Sequence, residues 1–279
     1  MSKKQRNMSI GIILGAVVLL LVGSLLVPGN AKSETIKETM RDAVLHETNK
    51  ISLFGLIDVN PALASGMIIT VTVLIIALLI RILVIPKFKK VPGKFQLCLE
   101  MLVGFFDNLA KTNSPHRNKF LGAYIFGAGV YIFIGTISEL FGVQLITTEG
   151  TSMAMCAPLA DINGAISLGV LSYLAILSGG IAGNGVKGIG LTLKEFSLPI
   201  SMSFRLFGAL LSGLLVTELV YYYINLSFVL PVLVGIMFTC LHALIQTYVL
   251  TMLTSVFYGE VSEPVKKKEK VKKNKKAIA

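Results

Sequence analysis

One positive charge stands inside a long apolar run. Arg205 lies ten residues into the stretch Phe196 to Ile224, and no other Lys or Arg occurs between Lys194 and Lys266. On a helix it is about 14 Å from Phe196 along the axis, too far for its side chain to reach water easily. Such a charge in a membrane costs several kcal/mol, from about 3 on insertion scales to roughly 10 or more on an isolated helix. Two arrangements compensate it: a carboxylate or carbonyls of its own bundle, or an aqueous cavity or a partner's carboxylate. At 100° per residue its neighbours on the same face are Ser201, Gly208, Ala209 and Ser212, all small. Small residues let another helix approach closely. Packing within the subunit accounts for that strip, but not for a charge at its centre. Glu218 is about 220° round the helix from Arg205. The counter-charge is therefore expected on another helix or another chain.

A second apolar run, Ser227 to Tyr258, carries Thr239, His242 and Gln246 within about 60° of one another. The histidine reads either as a hydrogen-bonded structural group or as a proton carrier. The Gln246 amide offers donors and an acceptor, suited to a guanidinium or to a line of waters. Cys98, Cys156 and Cys240 are far apart and lack metal-ligand spacing, so they read as small apolar residues. No nucleotide loop, metal cluster or nucleophile arrangement is evident. No catalytic residue, metal or cofactor is expected.

The elements that hold these groups follow from composition. A length of 279 residues suggests about two soluble domains. The chain is 54% hydrophobic and 15% charged, with mean hydropathy +0.76, which a soluble fold cannot bury. The net charge of +11 would suit nucleic acid, but its placement excludes that partner: the last fourteen residues carry +7 of it. The remaining cations fall in short clusters, and the charge-free stretches between them read as membrane spans of about 20 residues. The expectation is an all-α polytopic membrane protein with five or six transmembrane helices.

Met8 to Val27 is a signal anchor, an extra helix or a cleaved signal peptide ending near Ala31, with a retained helix favoured by its length. Residues 1–31 form that segment, 32–61 an outer segment, 62–260 the membrane domain and 261–279 a Lys-rich cytoplasmic tail. Ala62 to Ile85 is a span, and Pro86-Lys-Phe-Lys-Lys marks its inner end by the positive-inside rule. Val91 to Lys119 is amphipathic and basic and is placed along the inner surface. Phe120 to Ser138 crosses outward, followed by a loop with Glu139, Glu149 and Asp161; Asn163 to Gly183 crosses back. The two last runs, of 29 and 32 residues and joined by a turn at Asn225, would be about 43 and 48 Å long as helices, so they must tilt, bend or project. If the first helix is retained, both termini lie in the cytoplasm. The tail reads as a solvated charge run or as a contact to anionic lipid.

The stretch Ser-Phe-Arg-Leu-Phe-Gly at 203–208, followed by a long apolar helix, resembles the a subunit of F-type ATP synthases. Further stretches match in order: Val-Pro-Gly-Lys-Phe-Gln (91–96), Pro-Leu-Ala-Asp-Ile-Asn (158–163), Gly-Val-Lys-Gly (185–188) and Leu-Ile-Gln-Thr-Tyr-Val-Leu-Thr-Met-Leu-Thr (244–254). The resemblance covers roughly residues 50 to 260. It implies a stator subunit of a bacterial plasma membrane, with two offset half-channels and two tilted C-terminal helices packed as a hairpin against a c-subunit ring. The b-subunit stalk and other ATP synthase subunits are the further implied partners. Arg205 matches the family's essential arginine and Gln246 its partner on the last helix. Asp161 and Asn163 match polar positions at the outer access path.

The sequence departs from the family's pattern at two places. The position four after the arginine, commonly Asn, is Ala209, and the position nine after it, commonly Glu or His, is Leu214. Glu218 lies one turn further, about 40° from Leu214. On the last helix the usual ionisable position is Thr239, and His242 lies about one turn later. Both relay groups are therefore expected to have moved by one turn, the alternatives being a path lined by water alone or one that carries Na⁺. Outside the resemblance, Arg205 also fits a self-contained channel or secondary transporter that binds an anionic substrate. A passive lipid-bound anchor would leave Arg205 without a purpose.

Overall fold

The computed structural model describes residues 3–26, 35, 37, 41, 50–53, 57–146, 152–222 and 230–264. The turn at Asn225, the acid Glu149, the tail from residue 265 and most of the segment 32–61 lie outside the described residues. The Met8 to Val27 run forms helix α1, Lys3–Leu26, whose described apolar stretch is Gly11–Leu20. Five helices are long and apolar enough to cross a membrane. The chain is an all-α polytopic membrane protein, with two short hairpins of strand added.

The first of these hairpins pairs β1, Ile51–Leu53, with β2, Ile57–Val59, in antiparallel register Ile51 to Val59. Helix α2, Pro61–Leu79, follows at once. Asn60 caps it: the side-chain oxygen accepts the Ala62 N–H at 2.9 Å, and Pro61 sits at the first position, where no N–H is needed. At its other end the helix widens into a π turn, Ile80–Val84, with the Ile85 N–H bonded to the Ile80 carbonyl, before a 3-10 turn at Ile85–Lys87. Pro86 explains the widening, since its ring removes one N–H and clashes with the carbonyl four residues back. Only the start of α2 is packed. Pro61, Ala62, Ala64, Ser65 and Ile69 are buried, and no residue beyond Ile69 is.

Helix α3, Lys94–Asn113, is amphipathic, with Phe106 and Ala110 buried and Phe95, Met101 and Phe105 exposed. Two spanning helices then form the centre: α4, Lys119–Ile137, and α5, Ile162–Asn184. Between them run a 3-10 turn at Ser138–Phe141, the hairpin of β3, Gln144–Ile146, with β4, Ser152–Ala154, and a second 3-10 turn at Pro158–Ala160. Asp161 caps α5 by accepting the Asn163 N–H at 3.1 Å.

Sequence periodicity gave no sign of α6, Val186–Lys194. Gly185, at φ 59°, reverses the chain so that α6 folds back along the end of α5, and Gly188 lies directly on the Gly180 backbone, where no side chain fits. The Tyr173 hydroxyl donates to the Thr192 carbonyl at 3.0 Å and fixes the fold-back. The last two helices are α7, Ser197–Tyr222, and α8, Leu230–Ser262.

The core joins α3, α4, α5, α7 and α8 through Phe106, Leu121, Ile125, Ile132, Ile176, Leu206 and Leu250, among others. At the basic end α8 is tied to three elements. Asn113 donates to Ser255 at 2.9 Å, His116 and Ser262 share a bond of 2.8 Å, and Asn184 donates to the Val261 and Glu263 carbonyls at 3.0 and 2.8 Å.

Candidate functional site

Contacts along α5 set the level of the intramembrane arginine. Gly169 lies seven residues, about 10 Å, from the start of α5. Ser203 packs on it so closely that any Cβ at Gly169 would collide with the Ser203 hydroxyl. Arg205, two residues on, is therefore level with the interior of a spanning helix. Its side chain is exposed, and among the described residues it has neither a hydrogen bond nor an ion pair. Ser201, Gly208 and Ser212 are exposed beside it and Ala209 is half-buried. The charge and its small-residue strip thus face out of the bundle. Phe204, 62% exposed, shares that outer surface.

Helix α8 runs antiparallel to α7 behind this face. His242 is half-buried and stands over Gly213, its Nδ1 3.2 Å from where a Cβ of that glycine would be. Counting from this pair, Gln246 is level with Ala209, about one turn or 6 Å from Arg205 along the axis. A second count, through the packing of Tyr258 on Gly179 and of Ser203 on Gly169, places Gln246 level with Arg205 itself. Both counts agree to one turn. Gln246 is 5% exposed and makes no hydrogen bond among the described residues, while Thr239 is buried on the same helix.

Glu218 lies on α7 five residues past Gly213, about 7.5 Å further along. Its side chain is outside what the structure describes. Because α7 and α8 are antiparallel, a one-turn advance on each moves the two positions in opposite directions. His242 is accordingly nearer the level of Leu214 than that of Glu218.

A second polar region lies between α2, α4 and α5, at the end where α2 and α5 start. A cavity of about 910 Å³ opens there, with Asn60, Thr70, Tyr124, Tyr131, Asp161 and Asn163 in its wall. The Asn60 amide donates to Asp161 Oδ1 at 3.1 Å, while Asp161 Oδ2 holds the α5 cap. Tyr124 and Ser172 share a hydroxyl bond of 2.8 Å. Cys156 is buried nearby, and burial pushes its thiol up to about 11; the Ser65 hydroxyl opposes this, and the carboxylates of Glu139 and Asp161 add to it. Asp161 and Asn163 thus share one cavity, while Arg205, His242 and Gln246 belong to the α7–α8 pair. The sequence reading missed Asn60, although an Asn followed by Pro at the start of an apolar run is a helix-start signal. No group of three or more His, Cys, Asp or Glu able to hold a metal occurs among the described residues.

The family model described as ATP synthase A chain matches residues 66–259, well over half of the sequence. The chain belongs to the ATP synthase A chain family. As an A chain it is a subunit of the synthase's membrane sector, works with other ATP synthase subunits and takes part in ion translocation. The match runs from the packed start of α2 to the end of α8 that is tied to α3, to the connection at His116 and to α5. It takes in Arg205 and most of the cavity, and leaves outside it α1, the β1–β2 hairpin and the Lys-rich tail.

Proposed function

We propose that this A chain is the stator subunit that guides H⁺ or Na⁺ through two offset half-channels of a bacterial plasma membrane and presents Arg205 to a ring of c subunits. The observation that carries the reading is the outward exposure of Arg205, level with the interior of α5 and without a partner among the described residues. A charge so placed calls for an aqueous cavity or a carboxylate supplied from outside the subunit, and a ring carboxylate supplies the second. At 4 Å such a pair is worth about 4 kcal/mol at an effective dielectric of 20.

The outer half-channel follows the cavity at Asn60, Asp161 and Asn163, and then the polar groups of α7 and α8. Asp161, each oxygen of which accepts one hydrogen bond, draws cations to the mouth by its charge. Glu218 and His242 pass the ion between the helices, and Gln246 orients the guanidinium or a water beside it. An ion neutralises a ring carboxylate, rides round with the ring and leaves through the other half-channel. Arg205 attracts the ionised carboxylate as it returns and repels any cation that would leak directly across. The driving force is about 2.3 kcal/mol per charge per 100 mV, so several ions cross for each ATP. The b-subunit stalk holds the A chain against rotation, and the clusters from Lys87 to Lys94 and at Lys187 and Lys194 favour a cytoplasmic side for those ends and the tail, and for both termini if α1 is retained.

The test is ATP-driven ion uptake in inverted vesicles that carry the whole synthase, with and without Na⁺, comparing the native chain with Arg205→Ala. Loss of coupled pumping supports the reading. A chain that transports on its own, without a ring of small subunits, would instead be a self-contained channel or secondary transporter.

A further inference from the structure

The Val-Pro-Gly-Lys-Phe-Gln stretch at 91–96 has a structural role that ion translocation does not explain. Gln96 closes the corner between α2 and α3: its Oε1 accepts the Lys89 N–H at 3.1 Å and its Nε2 donates to the Lys89 carbonyl at 3.0 Å. The same amide donates to Glu100 at 2.7 Å, which fixes its own orientation. Around this clamp are Lys87, Lys89, Lys90 and Lys94, all exposed, with Arg81 further along the helix; no acid lies between Arg81 and Lys94, and the one acid at the clamp is Glu100, held by Gln96. Directly beneath is the uncovered length of α2, where Leu78, Ile82 and Leu83 are each more than half exposed. Four exposed lysines, Lys87, Lys89, Lys90 and Lys94, therefore stand at the headgroup level of a spanning helix whose apolar side has no cover in the described structure, with Arg81 one to two turns below them.

We infer that this corner is a binding site for anionic phospholipid, with the headgroup phosphate among Lys87, Lys89, Lys90 and Lys94 and the acyl chains along Leu78, Ile82 and Leu83. Charge complementarity selects the headgroup, and the bare helix below it takes chains that a soluble phosphate lacks. The neighbouring basic cluster, Lys111 to Lys119, is a poorer site. Lys111 is already paired with Asp107 at 2.5 Å, and the helix that starts at Lys119 is packed in the core. The inference stands on the membrane topology alone and is independent of the half-channel reading.

Cys98 supplies the probe, since it is exposed one turn beyond Lys94, whereas Cys156 is buried. The full chain with Cys240→Ala, carrying a fluorophore on Cys98, is placed in phosphatidylcholine nanodiscs that contain either brominated phosphatidylglycerol or brominated phosphatidylcholine at equal fraction. We expect the anionic lipid to quench more strongly, with an enrichment of at least roughly fivefold, the usual worth of one basic residue at an anionic surface. Replacing Lys87, Lys89, Lys90 and Lys94 with Gln abolishes the preference, and replacing Lys111, Arg117 and Lys119 leaves it. In the unsubstituted corner, raising salt to about 1 M, where the screening length falls to roughly 3 Å, also removes it. Equal quenching by the two lipids, a preference indifferent to salt, or equal loss in the quadruple and the triple variant would overturn the site.

Discussion

The Asn60 amide and the Asp161 carboxylate join at 3.1 Å across 101 residues of sequence, and so tie the caps of two spanning helices into one junction. Both oxygens of Asp161 take part, because the other one accepts the Asn163 N–H. Asp161→Ala removes a cap and the link together and is expected to cost about 1–2 kcal/mol, read as a lower melting temperature of the purified chain. Asp161→Asn keeps the cap but sets an amide NH2 against the Asn60 amide, so it is expected to lower the melt by less than Asp161→Ala does, while slowing ion flux by less than about tenfold through the lost charge at the mouth. A much larger loss of flux in Asp161→Asn than in Asp161→Ala would make this carboxylate's charge part of the carrier.

The cysteines report on the fold directly. A thiol near 11 is about one part in a thousand thiolate at pH 8, and the thiolate is the reactive form. Cys156 is therefore expected to resist a maleimide until the chain unfolds, whereas exposed Cys98 reacts at once. Peptide mapping after brief labelling at pH 8 checks this; rapid modification of Cys156 in the folded chain would mean that the junction near Ser65 is open.

Gly169 is the place where α7 meets α5 backbone to side chain, with the Ser203 hydroxyl and Pro199 carbonyl in the space a Cβ would fill. Gly169→Val is expected to cost about 1–3 kcal/mol by overpacking and to displace the arginine two residues beyond Ser203. Synthase carrying it is expected to assemble with reduced coupled pumping. Full pumping in Gly169→Val would show that the position of Arg205 does not depend on this contact.

Much of this architecture is legible in the sequence because a membrane enforces it. A run of about 20 residues without charge has few options in lipid, so α2, α4, α5, α7 and α8 are found within a few residues of their ends. Arg205 is legible for the same reason, as a charge that the run does not otherwise allow, and the small residues around it identify its face. Contacts set by distant partners are not legible. Helix α6 depends on Gly188 meeting Gly180, and its nine residues carry too short a pattern to announce a helix. The Asn60 to Asp161 bond leaves no local trace. Nor does the order of His242 and Glu218 along the axis, which follows from α7 and α8 being antiparallel and not from the spacing within either one.

That order makes the relay testable. His242 stands at Gly213, and Glu218 is five residues further along α7. If the pair relays protons, Glu218→Gln is expected to lower ATP-driven proton uptake by on the order of a hundredfold, the usual size of a lost acid–base group, and His242→Ala to shift the pH profile of what remains. Uptake unchanged by Glu218→Gln at every pH would show a path lined by water alone.

The central claim is that the outward charge of Arg205 couples ion flow to a partner. Its most direct test is ATP-driven uptake by inverted vesicles in which the assembled synthase carries Arg205→Ala in place of the native chain. We predict that uptake is abolished while the subunit remains in the membrane and associated with the synthase. Coupled pumping that survives the substitution would contradict the account.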